Sequence, residues 1–350
     1  MHARALHEPG PLRRLPLLTL YLTERCNSRC VTCDYWRHGR ADMDLAAVER
    51  LVPSLAALQT EVVLISGGEP LLNSEWTDIA QLLRAHGLKL WLLTSGLSLA
   101  KHARRVAELF TAVTVSLDGT DRETYAAIRG LDAFDKVCEG IRAVAGAGSL
   151  VNLRITLQRA NFRQMAAFVG LARQLGVRQI SFLAVDVANP QAFGRLSDFE
   201  NGLALQPDDL PQFERVLDNL EQEHAAAFES GLIAESPQKL RRLLQYFRAI
   251  HGLAAHPPVR CNAPEFSAVV DAKGHVRPCF FIPGPDGAAL SKDALPAALN
   301  GATMSGLRES IRAGERRECA TCVCPLWRDF QRGDTLIPPA QPPLRGARRV

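Results

Sequence analysis

Along its first half the chain alternates two patterns. Short apolar runs rich in β-branched residues occur at Leu17–Leu22, Val62–Ile65, Leu90–Leu93, Val113–Leu117, Leu153–Leu157 and Ile180–Val185. Between them lie stretches of helical period: Asp44–Leu58, Ser74–His86, Leu99–Phe110, Phe134–Ala147 and Asn161–Leu175. In the last stretch Phe168, Leu171, Ala172 and Leu175 fall on one face, and Gly176 supplies a helix stop. Strand and helix in regular alternation predict parallel βαβ units. Right-handed connections then curve the sheet. The fold class expected is α/β, a partial (β/α)6 barrel of parallel strands with a small C-terminal α+β domain. The region from Gln206 to Gly252 is helical in character, with Phe213, Val216, Leu217 and Leu220 at helical spacing, and Leu240, Leu243, Leu244 and Phe247 likewise. Phe266–Val270 and His275–Arg277 read as a hairpin turning at Asp271–Gly274, where Gly274 offers the positive φ such turns favour. The expected division is an extension over 1–16, the barrel over 17–200, a helical linker over 201–255, the small C-terminal domain over 256–330 and a Pro/Arg-rich tail over 331–350, poorly ordered from Ile337 onward.

Composition narrows the class without choosing a function. The 350 residues are 47% hydrophobic and 22% charged, as in ordinary globular proteins. The formal net charge of +4 is too small over this length to argue for nucleic acid or a membrane surface. No apolar run reaches the ~18 residues that span a bilayer. The segment Leu15–Leu22 is interrupted by Thr19 and followed by Glu24 and Arg25, so it does not read as a secretory signal. A cytoplasmic protein is expected.

The cysteines carry the chemistry. There are nine: Cys26, Cys30 and Cys33 near the N-terminus, Cys138 alone, and Cys261, Cys279, Cys319, Cys322 and Cys324 near the C-terminus. An odd number without an export signal argues against a disulfide framework, and clustered thiols in a reducing compartment are usually metal or cluster ligands. The first three stand as Cys-x3-Cys-x2-Cys directly after the first strand, at the mouth where barrels place their chemistry. Three thiolates on one loop can hold three irons of a cubane and leave the fourth open to a chelating substrate. Spacing alone also admits a zinc site with His38 as fourth ligand. In the C-terminal set, Cys261 and Cys279 form Cys-x12-Gly-x4-Cys around the hairpin, and Cys319-x2-Cys322 returns from a distant segment. A zinc ribbon would suit these ligands too. Cys138, in a helical stretch, reads as a buried structural residue.

Taken with three further segments in order, the trio resembles the signature of the radical S-adenosylmethionine (radical SAM) superfamily. Gly67-Gly68-Glu69-Pro70 follows the second strand and is similar to the family's GGEP motif, which holds the amino group of SAM. Thr94-Ser95-Gly96 ends the third strand, and Ser116-Leu117-Asp118-Gly119 ends the fourth, where the family places polar contacts to SAM. Arg154 lies on the fifth, where related enzymes contact the SAM carboxylate or ribose. Thr32 stands where the family often has an aromatic residue, so the adenine contact from that loop is not implied here. The resemblance spans Leu17 to Val185. The C-terminal cysteines resemble the SPASM auxiliary-cluster domain and its shorter form, twitch. A full SPASM domain carries more cysteines and a second cluster, so the short form with one cluster on Cys261, Cys279, Cys319 and Cys322 is implied, with Cys324 spare or an alternative ligand.

The resemblance implies two 4Fe–4S clusters, SAM, and an electron donor such as flavodoxin or ferredoxin. It implies a 5′-deoxyadenosyl radical that abstracts a substrate hydrogen, and an auxiliary cluster suited to oxidising the substrate radical. The cysteine pattern is closer to the twitch-bearing dehydrogenase acting on an aminocyclitol than to multi-cluster peptide enzymes, and the residues before the first strand are too few for a peptide-binding domain. A small polar substrate is therefore expected. A ribosomally made peptide is the alternative, and a non-enzymatic zinc module a more distant one. Asp186, Asn189, Tyr246, Arg260 and Glu265 could face the barrel mouth, although any one of them is expected to be a solvated loop residue.

Overall fold

A computed structural model of the chain describes residues 10–190, 192–196, 202–284, 290, 294–330, 334 and 336. Of the Pro/Arg-rich tail expected over 331–350, all but Asp334 and Leu336 lies outside the described residues. Six parallel strands, β1 (Leu17–Tyr21), β2 (Val62–Ser66), β3 (Lys89–Thr94), β4 (Ala112–Ser116), β5 (Leu150–Leu157) and β6 (Gln179–Ala184), follow one another across the sheet. The helices joining them are α1 (Tyr35–His38), α2 (Leu45–Ala57), α3 (Trp76–Ala85), α4 (Leu99–Leu109), α5 (Arg122–Arg129), α6 (Phe134–Gly146) and α7 (Met165–Leu175). Then come α8 (Leu210–Glu223), α9 (Ala225–Glu229) and α10 (Pro237–Ile250), the hairpin of β7 (Ser267–Val270) and β8 (Val276–Arg277), and α11 (Ala294–Asn300), α12 (Ala302–Arg312) and α13 (Arg317–Ala320). Among the described residues no helix is long and apolar enough to cross a membrane.

Local signals explain most boundaries. Asp44 caps α2 by accepting from the Ala47 N–H at 2.7 Å, and Asp121 caps α5 through the Thr124 N–H at 2.8 Å. Gly130 and Gly176 end α5 and α7 in the left-handed conformation. The unforeseen α5 has only Tyr125 and Ile128 buried, too few apolar positions to stand out as a period.

The hairpin does not stand apart from the barrel strands. β7 lies parallel beside β1, from Leu17 opposite Ser267 to Leu20 opposite Val270, and β8 returns antiparallel. The sheet therefore runs β6-β5-β4-β3-β2-β1-β7-β8. β1 is buried along its whole length between two parallel neighbours. At the opposite edge, Leu232–Ala234 covers β6: the Ile180 N–H donates to Leu232 O at 2.7 Å and the Ala234 N–H to Ile180 O at 2.9 Å. Among the described strands nothing pairs β6 with β8, so the barrel is open, as expected of a partial one.

Strand alternation gives the sheet two unlike faces. Leu18, Leu20, Val63, Ile65, Leu92, Val113, Val115, Leu153, Ile155 and Phe182 are buried in the main core. The other face carries Thr114, Ser116, Asn152, Arg154 and Ser181, all half-buried. At its lower end a second apolar cluster joins Leu17 and Val62 to Phe266 and Leu336, with Leu64, Trp91, Cys261 and Phe330 packed on it. The C-terminal segment thus covers the foot of the inner face and leaves its polar upper part at the mouth.

Candidate functional site

The N-terminal cysteine loop is held from two sides by backbone. On one side, Gly68 N–H donates to Thr23 O at 2.9 Å and Glu69 N–H to Arg25 O at 2.8 Å. This contact needs the glycines. A Cβ on Gly68 would lie 2.2 Å from Arg25 O, and one on Gly67, at φ +127°, 2.7 Å from Thr23 O. On the other side, the last turn of α5 accepts from the residues flanking Cys30: Arg29 N–H donates to Arg129 O at 3.1 Å and Val31 N–H to Ile128 O at 3.0 Å. Helix-terminal carbonyls that would otherwise lack partners are satisfied by the cysteine loop.

Glu69 is fully buried. Its carboxylate accepts from Thr94 Oγ1 at 2.8 Å, from the Ser95 N–H at 2.7 Å and from Leu71 N–H at 3.2 Å. Ser95 Oγ lies 2.7 Å from Glu69 and 3.1 Å from Asn27 Oδ1 in the cysteine loop. Pro70 opens the short turn that follows. Thr94, Ser95 and Glu69 are thus brought together beside Cys26. Ser116 and Arg154 are direct neighbours in register on the polar inner face. Asp118 is placed differently. One carboxylate oxygen accepts from the Thr156 N–H at 2.7 Å and the other from Arg129 at 3.2 Å, so its oxygens face protein donors. Sequence reasoning missed Arg129. A basic residue in the last turn of a short helix was the only signal it left.

Burial dominates the thiols. It pushes Cys26 up to about 11 and Cys33 up to about 12, and it raises Cys30 as well. Neighbouring negative charge adds to the rise, from Cys30 and Glu69 at Cys26 and from Cys30 at Cys33. Arg129 opposes it at all three. The donor set suits an iron–sulfur cluster: soft, free, half-buried thiols on one loop, which bind a metal on losing their protons. Two buried polar atoms beside the loop, Ser28 Oγ and Arg129 Nε, have no hydrogen-bond partner. Among the described residues no three His, Cys, Asp or Glu side chains converge where a single metal ion could sit. A cluster binds its thiolates at separate irons and needs no such convergence.

The C-terminal cysteines come from separate segments. Cys261 precedes β7, Cys279 follows β8, Cys319 lies in α13, and Cys322 and Cys324 follow it. Asn262 ties the first to the last: its N–H donates to Leu326 O at 2.9 Å, its Nδ2 to Arg328 O at 2.7 Å, and its Oδ1 accepts from the Arg328 N–H at 2.9 Å. Cys261 Sγ accepts from the Leu326 N–H at 3.4 Å, and Arg260 stacks on Trp327 at 3.8 Å. Burial raises Cys279 and Cys319 to about 11; the Phe281 and Ile282 N–H groups oppose the rise at Cys279, while Cys261 adds to it at both thiols and Cys319 adds to it at Cys279. Cys322 is raised by burial and then by Cys324, Cys261 and Cys279. These five thiols form one group that Cys138, inside α6, does not join.

The two groups meet across β1. Tyr21 contacts Tyr35 at 5.7 Å and Phe280, the neighbour of Cys279, at 6.3 Å. Arg277 reaches Tyr35 Oη at 3.5 Å and Asp271 at 2.9 Å, while Lys273 pairs with Glu24 at 2.6 Å. The expectation of solvated loop residues fails for Asp186, Asn189 and Tyr246, which are buried. Asp186 accepts from the Ala188 and Asn189 N–H groups at 2.9 Å, Asn189 Nδ2 donates to Phe281 O at 2.9 Å, and Val187 N–H donates to Tyr246 Oη at 3.1 Å. The turn after β6 is folded in because its polar groups have protein partners. Glu265 pairs with Arg312 at 2.7 Å on the outside.

Comparison with known proteins agrees with this geometry. A probable GTP 3′,8-cyclase of Saccharolobus islandicus (strain Y.N.15.51 / Yellowstone #2) is 29% identical over 213 residues, 59% of this chain and 66% of that protein. The chain thus spans just under two thirds of such relatives. Streptococcus suis SuiB, in a crystal structure bound to S-adenosylmethionine, superposes with a TM-score of 0.65 at 13% identity, covering 89% of this chain and 72% of that one. Native anSMEcpe with bound AdoMet and Cp18Cys peptide gives 0.62 at 21% identity, covering 84% and 82%. The likeness to both is one of fold. The stretch 20–172, which holds the cysteine loop, the Gly67–Pro70 segment and the strands β2 to β5, matches the Radical SAM superfamily, so this part of the chain is a radical SAM domain.

Proposed function

We infer that this chain is a radical SAM enzyme with one auxiliary cluster and that its net reaction is an oxidation. One observation carries the reading: Gly67 and Gly68 press against the carbonyls of Thr23 and Arg25, which sets the buried Glu69 beside Cys26. Cys26, Cys30 and Cys33 would hold the 4Fe–4S cluster, and Cys261, Cys279, Cys319 and Cys322 the auxiliary one, with Cys324 within reach. When bound, the first cluster supplies the electron that splits SAM into methionine and a 5′-deoxyadenosyl radical. Glu69, steadied by Thr94 and Ser95, would accept from the SAM ammonium. Ser116 and Arg154 would line the SAM side of the inner face.

The substrate of this reading is a small polar molecule, and the buried polar groups of Asp186, Asn189 and Tyr246 after β6 support it. An electron donor of the flavodoxin or ferredoxin type would serve the first cluster. The test is anaerobic reconstitution with iron and sulfide, an iron count, and assay of 5′-deoxyadenosine from SAM. The wild type should form it and Cys26→Ala/Cys30→Ala/Cys33→Ala should not, while keeping about half of the iron. Product formation by that variant, or zinc without iron in the wild type, would refute the reading. Incubation with aminocyclitols, GTP and short peptides then separates dehydrogenase, cyclase and peptide-modifying activities.

A further inference from the structure

The guanidinium of Arg129 is enclosed, with 11% of its side chain exposed, and paired with an Asp118 carboxylate that is almost fully buried. Three features bring it to the cysteine loop. The carbonyls of Ile128 and Arg129 accept from the N–H groups on either side of Cys30. Gly130 lies so close that a Cβ would stand 2.4 Å from Arg29 O, so the end of α5 sits directly on the loop. Asp118, just after β4 and fixed by the Thr156 N–H of β5, holds the guanidinium. Its positive charge acts on Cys30 and Cys26 as well as on Asp118. Among the described residues, Arg129 is the cation whose charge opposes the rise at both thiols.

Resting on the reading above, we propose that Arg129 is the built-in counter-charge of the N-terminal cluster: it sets how readily that cluster takes its electron, and Asp118 moderates it. The physics is one of sign. Reduction adds one negative charge at a site with little water, where a fixed cation interacts more strongly than it would in solvent. The reduced state therefore gains more from Arg129 than the oxidised state does, and the potential rises. Asp118 opposes this because part of the guanidinium's field ends on its carboxylate. Net charge, hydrogen bonding and exposure are the means by which proteins place iron–sulfur potentials. Arg129 is thus a positioning and tuning residue with no bond-making role.

The experiment is a redox titration of the reconstituted full-length protein followed by electron paramagnetic resonance. The N-terminal cluster is identified as the signal that changes shape on adding SAM. Its presence in the wild type, with the matching iron count, checks the underlying reading separately. Arg129→Met should lower that cluster's midpoint by at least the ~59 mV that corresponds to tenfold in a one-electron equilibrium, while Arg129→Lys stays near the wild type. Asp118→Asn should move it the opposite way, upward. A merely structural role would not give shifts of opposite sign. An assembled Arg129→Met cluster at the wild-type potential overturns the proposal, as does an equal fall in Arg129→Lys. Should Arg129→Met fail to assemble a cluster, Asp118→Asn decides: a raised potential supports the counter-charge, and an unchanged or lowered one overturns it.

Discussion

The two cysteine groups are held by opposite constructions. The N-terminal trio sits on one continuous loop, and main-chain atoms of the barrel hold it on both sides through Gly68, Glu69, Ile128 and Arg129. The C-terminal group is assembled from a residue before β7, another after β8 and a returning strap, joined mainly by the side chain of Asn262. The first is shaped by the sheet before any metal arrives. The second depends on contacts distant in sequence, so metal binding should contribute more of its stability.

Four changes should break or sharpen this contrast, and Gly68→Val is the most severe. Its side chain has no room against Arg25 O, so the loop must shift. SAM cleavage should fall by more than a hundredfold, with the auxiliary iron retained; cleavage within tenfold of wild type would show that the backbone clamp is dispensable. Next is Cys319→Ala/Cys322→Ala, which should halve the iron and abolish substrate turnover while uncoupled 5′-deoxyadenosine formation persists. Full iron content would place the second cluster elsewhere.

Asn262→Ala tests the clamp without touching a thiol. Two side-chain hydrogen bonds at a half-buried site are worth about 1–3 kcal/mol together, so thermal unfolding of the metal-free protein should drop by several degrees. The loss should shrink once iron is bound; an equal loss with and without iron would contradict metal-supported assembly. The smallest effect belongs to Asp271→Asn. Burial alone would raise this carboxyl, but the His275 N–H and Arg277 outweigh it and hold Asp271 below its ordinary value. A lowered folded-state pKa gives stability above the unfolded value near ~4, lost as pH falls through the folded one. Scans of melting temperature should show a shallower acid limb for Asp271→Asn below about pH 4, and identical limbs would remove Asp271 from the account.

Legibility in the sequence followed the range of the interaction. Apolar runs marked the six barrel strands to within a few residues: β1 and β2 are buried at nearly every position, and β4, β5 and β6 bury every second one against the main core. Gly274 marked the hairpin turn, at φ +85°. The cysteine spacing and the Gly67–Glu69 turn were visible because the loop and the turn are each local. Three things were not. The pairing of β7 with β1 leaves no local pattern, since either strand would look the same beside another neighbour. The role of Asp118 depended on Arg129, reached only once α5 folds back. Asp186 and Tyr246 looked like loop polars because their partners, two backbone N–H groups and the Val187 N–H, carry no side-chain signature.

The placement of β1 between β2 and β7 also has a cost in time. Leu17 pairs with Ser267, so the second edge of this strand stays uncovered until some 250 further residues have been made. At ordinary ribosomal rates that interval is roughly 12–50 s. Throughout it, Leu17, Leu18 and Leu20 lie along an open parallel edge, the feature on which nascent chains most readily associate. A helper protein or a fast-forming N-terminal half would be needed to carry the strand through that wait, and the last hydrogen bonds to form in the sheet would be those that bring the two cysteine groups together.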